Sequence, residues 1–124
     1  TQDKASAERY GVHLVRNEAL PGSSLTGLRV NGNSGAGAIN LAVLFGARRI
    51  VLLGFDMHEG PNGEKHWHAD HPSPCVQKQL FGEWQHKFEA VAKDLKALGV
   101  EVVNATPGSA LKCFPMMSFE ETVS

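Results

Sequence analysis

The chain has 124 residues, 42% of them hydrophobic, which fits one domain built on one core and argues against two. Lys and Arg number 12 against 13 Asp and Glu, so a net charge near −1 supplies no general attraction for nucleic acid or anionic lipid, and any anion site must be local. No apolar run reaches the roughly 18 residues of a membrane span, and Cys75 and Cys113 stand far apart outside any C-x-x-C or zinc spacing, so a cytoplasmic protein with no membrane or nucleic-acid partner is expected.

The opening TQDKASAERYG reads as a helix near its end, stopped by Gly11. With Thr1 in first place, the chain is expected to be the C-terminal part of a longer one; a trimmed or processed N terminus explains it equally well. Val12, Leu14 and Val15 offer a short strand, residues 17–27 a loop, and LRV at 28–30 at most another short strand before the turn NGNSG. From Ser34 the run GAGAINLAVLFG predicts a helix capped by Asn33 or Ser34 and ended by Gly46, apolar on nearly every face and therefore buried. RRIVLLGFD then predicts a strand over 50–53, covered on both sides.

Residues 54–72 form a loop holding four of the six histidines, and QLFGEWQHKFEAVAKDLKALG predicts the next helix. In it Trp84, Phe88, Val91, Ala92, Leu95 and Leu98 recur at spacings of three and four, giving one apolar stripe, with Lys93 and Lys96 in the last turns and Gly99 at the end. VEVVN at 100–104 is a second buried strand, and in ATPGSALKCF Pro107 is placed to open a short helix.

Helix, strand, loop, helix, strand is the grammar of an α/β domain with a mostly parallel sheet. The expected organisation is a connecting segment over 1–27, a core over 28–114 and a tail over 115–124. Ligands of such sheets sit beyond the carboxyl ends of the strands. Three polar, glycine-rich segments, NGNSGAG, GFDMHEG and NATPGS, should therefore converge on one crevice.

In NGNSGAGAIN a glycine-rich turn feeds a helix N terminus, whose free N–H groups suit phosphate or carboxylate; small residues that let the helix approach the sheet are the plainer explanation. The dinucleotide fingerprint G-x-G-x-x-G fails at its third glycine, where Asn40 follows Gly35 and Gly37. HWHADH at 66–71 spells H-x-H-x-D-H and resembles the two-zinc ligand run of metallo-β-lactamase-like hydrolases, but Pro72-Ser73-Pro74 follows it and His86 is the last histidine. A simpler metal site from His58, His66, His68, Asp70 and His71 is the second reading. The third is acid–base chemistry without metal, with Lys65 beside an anionic leaving group, and the fourth is a solvated loop packed on Trp67. No metal or cofactor is assigned. In NATPGSALKCF, Thr106 and Ser109 offer hydroxyls for an anion or sugar, and Thr106 could equally cap a helix.

NSGAGAINLAVLFGARRIVLLGFDM resembles the core of the bacterial CMP-sialic-acid-dependent sialyltransferases and the related domain of motility-associated glycosylation proteins and 6-hydroxymethylpterin diphosphokinases; VEVVNATPGSALKCF is similar to the later strand and Pro-x-Ser turn of the sialyltransferases. The arrangement looks most like phage and prophage proteins carrying this domain. The resemblance spans about residues 33–114. It implies a Rossmann-like three-layer domain, a nucleotide held by Ser34, Gly35, Pro107 and Ser109, and a general base among His66, His68 and His71; with the segments read above, the expected site adds Asn33, Gly37, Lys65, Thr106 and Gly108 on the nucleotide side and Asp56 beside the base. The strand and G-x-G-P-S turn that open this superfamily are missing, which implies either loss of that strand–turn–helix unit or a scaffold without full activity. Nucleotide or nucleotide-sugar binding with group transfer is the leading expectation. A non-catalytic binding module and a histidine-loop metal hydrolase are the alternatives, and a homo-oligomer is compatible with each.

Overall fold

The structure is a computed structural model that describes residues 1, 3–15, 18, 20, 22–63 and 81–124. The sheet is a parallel pair, β1 (Arg49–Leu52) and β2 (Glu101–Asn104), in register from Arg49 opposite Glu101 to Leu52 opposite Asn104. Parallel strands need a long crossover connection, and this one contains helix α3 (Phe81–Ala97). The chain is thus α/β with a small parallel sheet, and no helix among the described residues is long and apolar enough to cross a membrane.

The stripe expected on α3 forms the centre of the core. Phe88, Val91 and Leu95 are buried, while Trp84, Ala92 and Leu98 pack at its margin. They meet Leu52 and Val102 of the sheet, Leu111 and Phe114 beyond it, and Ala36, Ile39 and Val43 of α2 (Ser34–Leu44). The Phe88 ring lies edge-on to Phe55 at 6.1 Å and to Phe114 at 6.4 Å.

Several expectations are corrected. Helix α1 (Lys4–Tyr10) forms, capped by Asp3 and ended by Gly11, but residues 12–15 make no strand, and Val12 and Leu14 are exposed. Over 28–30 the pairing shrinks to a single bridge at Leu28. Helix α2 buries one face only, because two strands offer too little surface to cover it; Ala38 is exposed and Phe45, just past its end, is 83% exposed. β1 is likewise only partly covered, with Ile50 and Val51 half-buried, whereas β2 buries three of its four residues. Pro107 opens no helix: Pro107 and Gly108 form a turn in which Ser109 N–H bonds back to Thr106 O at 3.3 Å. The tail over 115–124 is joined to the sheet. Asn104 pairs with its start through Pro115 O and Met117 N–H, and α4 (Phe119–Val123) follows with a reciprocal cap between Ser118 and Glu121.

The loop before α2 is attached by polar contacts in place of a strand. Asn40, completely buried in α2, accepts from Ser24 N–H and donates to Ser24 O and Gly27 O, so the residue that breaks the dinucleotide fingerprint is a clamp for this loop. Asp94 of α3 accepts from Ser23 N–H, and a Cβ on Gly22 would sit 1.9 Å from its carboxylate, so only glycine fits there. Glu18 takes hydrogen bonds from Thr26 Oγ1 and Arg29 Nε; the Thr26 hydroxyl first, then Ser24 and Arg29, hold its carboxyl down to about 2 from 4.5. A depressed carboxyl favours the fold above its unfolded pKa and loses that contribution as pH falls through the folded one. Glu18→Gln should therefore lower the melting temperature at pH 6 and leave it nearly unchanged at pH 2, as scanning calorimetry at both pH values can test; equal losses at both would refute the linkage.

Candidate functional site

Beyond the carboxyl end of β1, a shallow cavity of about 310 Å³ lies between the N terminus of α2, residues 54–58 and the start of α3. Its described lining includes Asn33, Ser34, Gly35, Asp56, His58 and Trp84. Two of the three converging segments therefore meet there. The third, 104–109, opens with Thr106 and Pro107 onto a separate cavity of about 470 Å³ beside α4.

Residues 54–58 are held from several directions. Phe55 N–H donates to Thr106 Oγ1 and Phe55 O accepts from Ser109 Oγ. Asp56 O accepts from Ala110 N–H at 2.8 Å and Met57 O from Gln85 Nε2 at 3.1 Å. Met57 keeps a left-handed φ of 58°, a strained conformation for a side chain of its size that persists where the surroundings over-determine it. Thr106 is thus no helix cap; its hydroxyl ties the two strand ends together. Ser109, 0% exposed, also accepts from Asn104 Nδ2 and Leu111 N–H, so its hydroxyl serves the scaffold.

The helix N terminus is already occupied from within. Asn33 Oδ1 accepts from Gly35 N–H at 2.9 Å and Ala36 N–H at 3.2 Å, and Gly37 N–H bonds to Asn33 O. The Gly35 and Ala36 amides are among the donors an anion would use. A Cβ on Gly35 would lie 2.7 Å from the Phe55 ring, so this glycine admits an aromatic side chain against the helix start. Gly37 is buried against Val30, and Gly108 is exposed in its turn.

Asp56 is exposed and lines the cavity with no hydrogen bond or ion pair to its carboxylate among the described residues. His58 brings Nδ1 to 2.7 Å from Glu59 O and Nε2 to 3.2 Å from Gly108 O, which links the two loops past the strand ends. A neutral ring donates to one of these carbonyls, a protonated ring to both. Lys65, His66, Asp70, His68 and His71 lie outside the described residues. Among the described residues no group of three His, Cys, Asp or Glu side chains could hold a metal ion. Cys113, half-buried, has its thiol pushed up to about 11 chiefly by burial, so it stays protonated at neutral pH.

The sequence reading missed the aromatic wall. Trp84 and Phe81, edge-to-face at 5.8 Å and 82°, are both half-buried and line the cavity, although Trp84 belongs to the core stripe by spacing. The available signal was position: both fall in the first turn of α3, at the end of the helix that faces the strand carboxyl ends. Comparison with known proteins finds no matching family model, curated protein or solved structure.

Proposed function

We propose that this chain binds a nucleotide or nucleotide-sugar at the carboxyl ends of its strands. The observation that supports it most is the convergence of the α2 N terminus, the loop after β1 and the first turn of α3 on one cavity of about 310 Å³. That volume lies at the small end of the range for ligand sites, about 300–1,000 Å³, and suits a mononucleotide in part, not a dinucleotide. A Rossmann-like, three-layer arrangement belongs to the same proposal, since a parallel pair joined through a helix is its repeating unit.

Glycosyl or related group transfer is the catalytic form of this reading, with His66, His68 or His71 as the base. The non-catalytic binding module is the second reading, and it keeps His58 as a scaffold contact. Among the described residues, His58 is the imidazole at the cavity, and both its nitrogens face backbone carbonyls instead of open space.

A thermal-shift panel of CMP, UDP, GDP, their sugar conjugates, zinc and nickel tests the proposal. One nucleotide at about a hundred times its Kd should stabilise the fold by about 2.7 kcal/mol. Ser34→Trp, at an exposed helix position on the cavity rim, should abolish that rise while leaving the unliganded melt in place. Stabilisation by metal alone would sink the nucleotide reading.

A further inference from the structure

We infer that the cavity takes the uncharged, hydroxyl-bearing ring of its ligand, a furanose or pyranose, and leaves the phosphates outside. The inference rests on the binding reading above and specifies which part of the ligand this pocket holds.

Among the polar side-chain groups of the lining, Asn33 Nδ2, Ser34 Oγ and the Asp56 carboxylate have no hydrogen-bond partner among the described residues. They are respectively a donor, a donor and acceptor, and an acceptor. A ring hydroxyl both donates and accepts, so a pair of neighbouring hydroxyls can satisfy this set, with the carboxylate taking their protons in charge-assisted hydrogen bonds. A fully ionised phosphate group offers only acceptors and would meet the carboxylate with like charge.

The charges of the described lining point in the same direction. Asp56 is the full charge of the described lining, no Lys or Arg belongs to that lining, and nearby Lys87 pairs with Glu83 at 2.6 Å. Two of the α2 amides that would otherwise attract an anion, those of Gly35 and Ala36, are bonded to Asn33. In the same lining, the edge-to-face Trp84 and Phe81 pair supplies apolar surface for the C–H face of a ring.

The test is competitive binding by isothermal titration with CMP, cytidine, galactose and inorganic phosphate, on the unaltered chain, Asp56→Asn and Trp84→Ala. Cytidine or galactose should displace CMP while millimolar phosphate does not, and whichever competes identifies a nucleoside or a free sugar as the source of the ring. Asp56→Asn should weaken the competing ligand about tenfold with no change in melting temperature, since the carboxylate has no partner to lose among the described residues; it keeps the test open if Trp84→Ala unfolds. Displacement of CMP by phosphate, or tighter CMP binding in Asp56→Asn with no competition from cytidine or galactose, would overturn the inference and leave nucleotide binding standing. Failure of CMP, cytidine and galactose all to bind overturns this inference, and the nucleotide reading falls with it only if the UDP, GDP and sugar-conjugate arms of the thermal-shift panel also fail.

Discussion

Replacing Asn104 with alanine is expected to cost about 3 kcal/mol of stability, because it strands buried partners on both sides. The side chain is 0% exposed and makes three hydrogen bonds: Nδ2 donates to Ser109 Oγ at 2.9 Å and Leu111 O at 3.1 Å, and Oδ1 accepts from Thr106 N–H at 3.0 Å. Through Ser109 and Thr106 the same residue holds Phe55, and with it the loop that carries Asp56. Ligand affinity should therefore fall along with stability. Asn104→Asp should be worse than alanine, since it loses both donations and buries a charge beside a backbone carbonyl. Urea denaturation of the three proteins checks this, and a loss below about 1 kcal/mol for Asn104→Ala would show that the network is not what joins the strand ends.

Phe88→Ala should have the largest effect of any single core truncation, about 4 kcal/mol from lost burial and the cavity left behind. Phe88 is 1% exposed and touches two rings edge-on, Phe55 on the cavity side and Phe114 on the far side. Phe88→Leu keeps most of the volume and should cost far less, which separates the volume term from the ring geometry. A double-mutant cycle with Phe55→Ala should return a coupling of about 1 kcal/mol. Strict additivity would mean that the core and the cavity wall are energetically independent.

Much of the secondary structure was legible because its signals are local. Asn33 before a run of small residues marks the start of α2, whose amides it caps. The stripe through Phe88, Val91 and Leu95 marks α3, and the branched runs RIVL and EVVN mark the parallel strands. Pro107 misled for an equally local reason: proline suits the first turn of a helix and a β-turn alike, and what decides between them is Ser109, whose hydroxyl is drawn to Phe55 O across 54 positions of sequence. The short strand expected over 12–15 had the alternation but has no strand to pair with among the described residues.

What the sequence by itself determined is the order α2, β1, α3, β2, the parallel pairing implied by strand–helix–strand, and the gathering of polar turns at one end, since each follows from periodicity, capping and chain connectivity. What only the tertiary structure decided is how each polar residue is used. Asn40, Thr106 and Ser109 have the chemistry of ligand contacts, yet their partners are backbone groups of distant loops. Trp84 has the spacing of a core residue and faces the cavity. A hydrogen bond or a cavity wall depends on which groups approach within a few ångströms, and that distance is set by the packing of the whole chain.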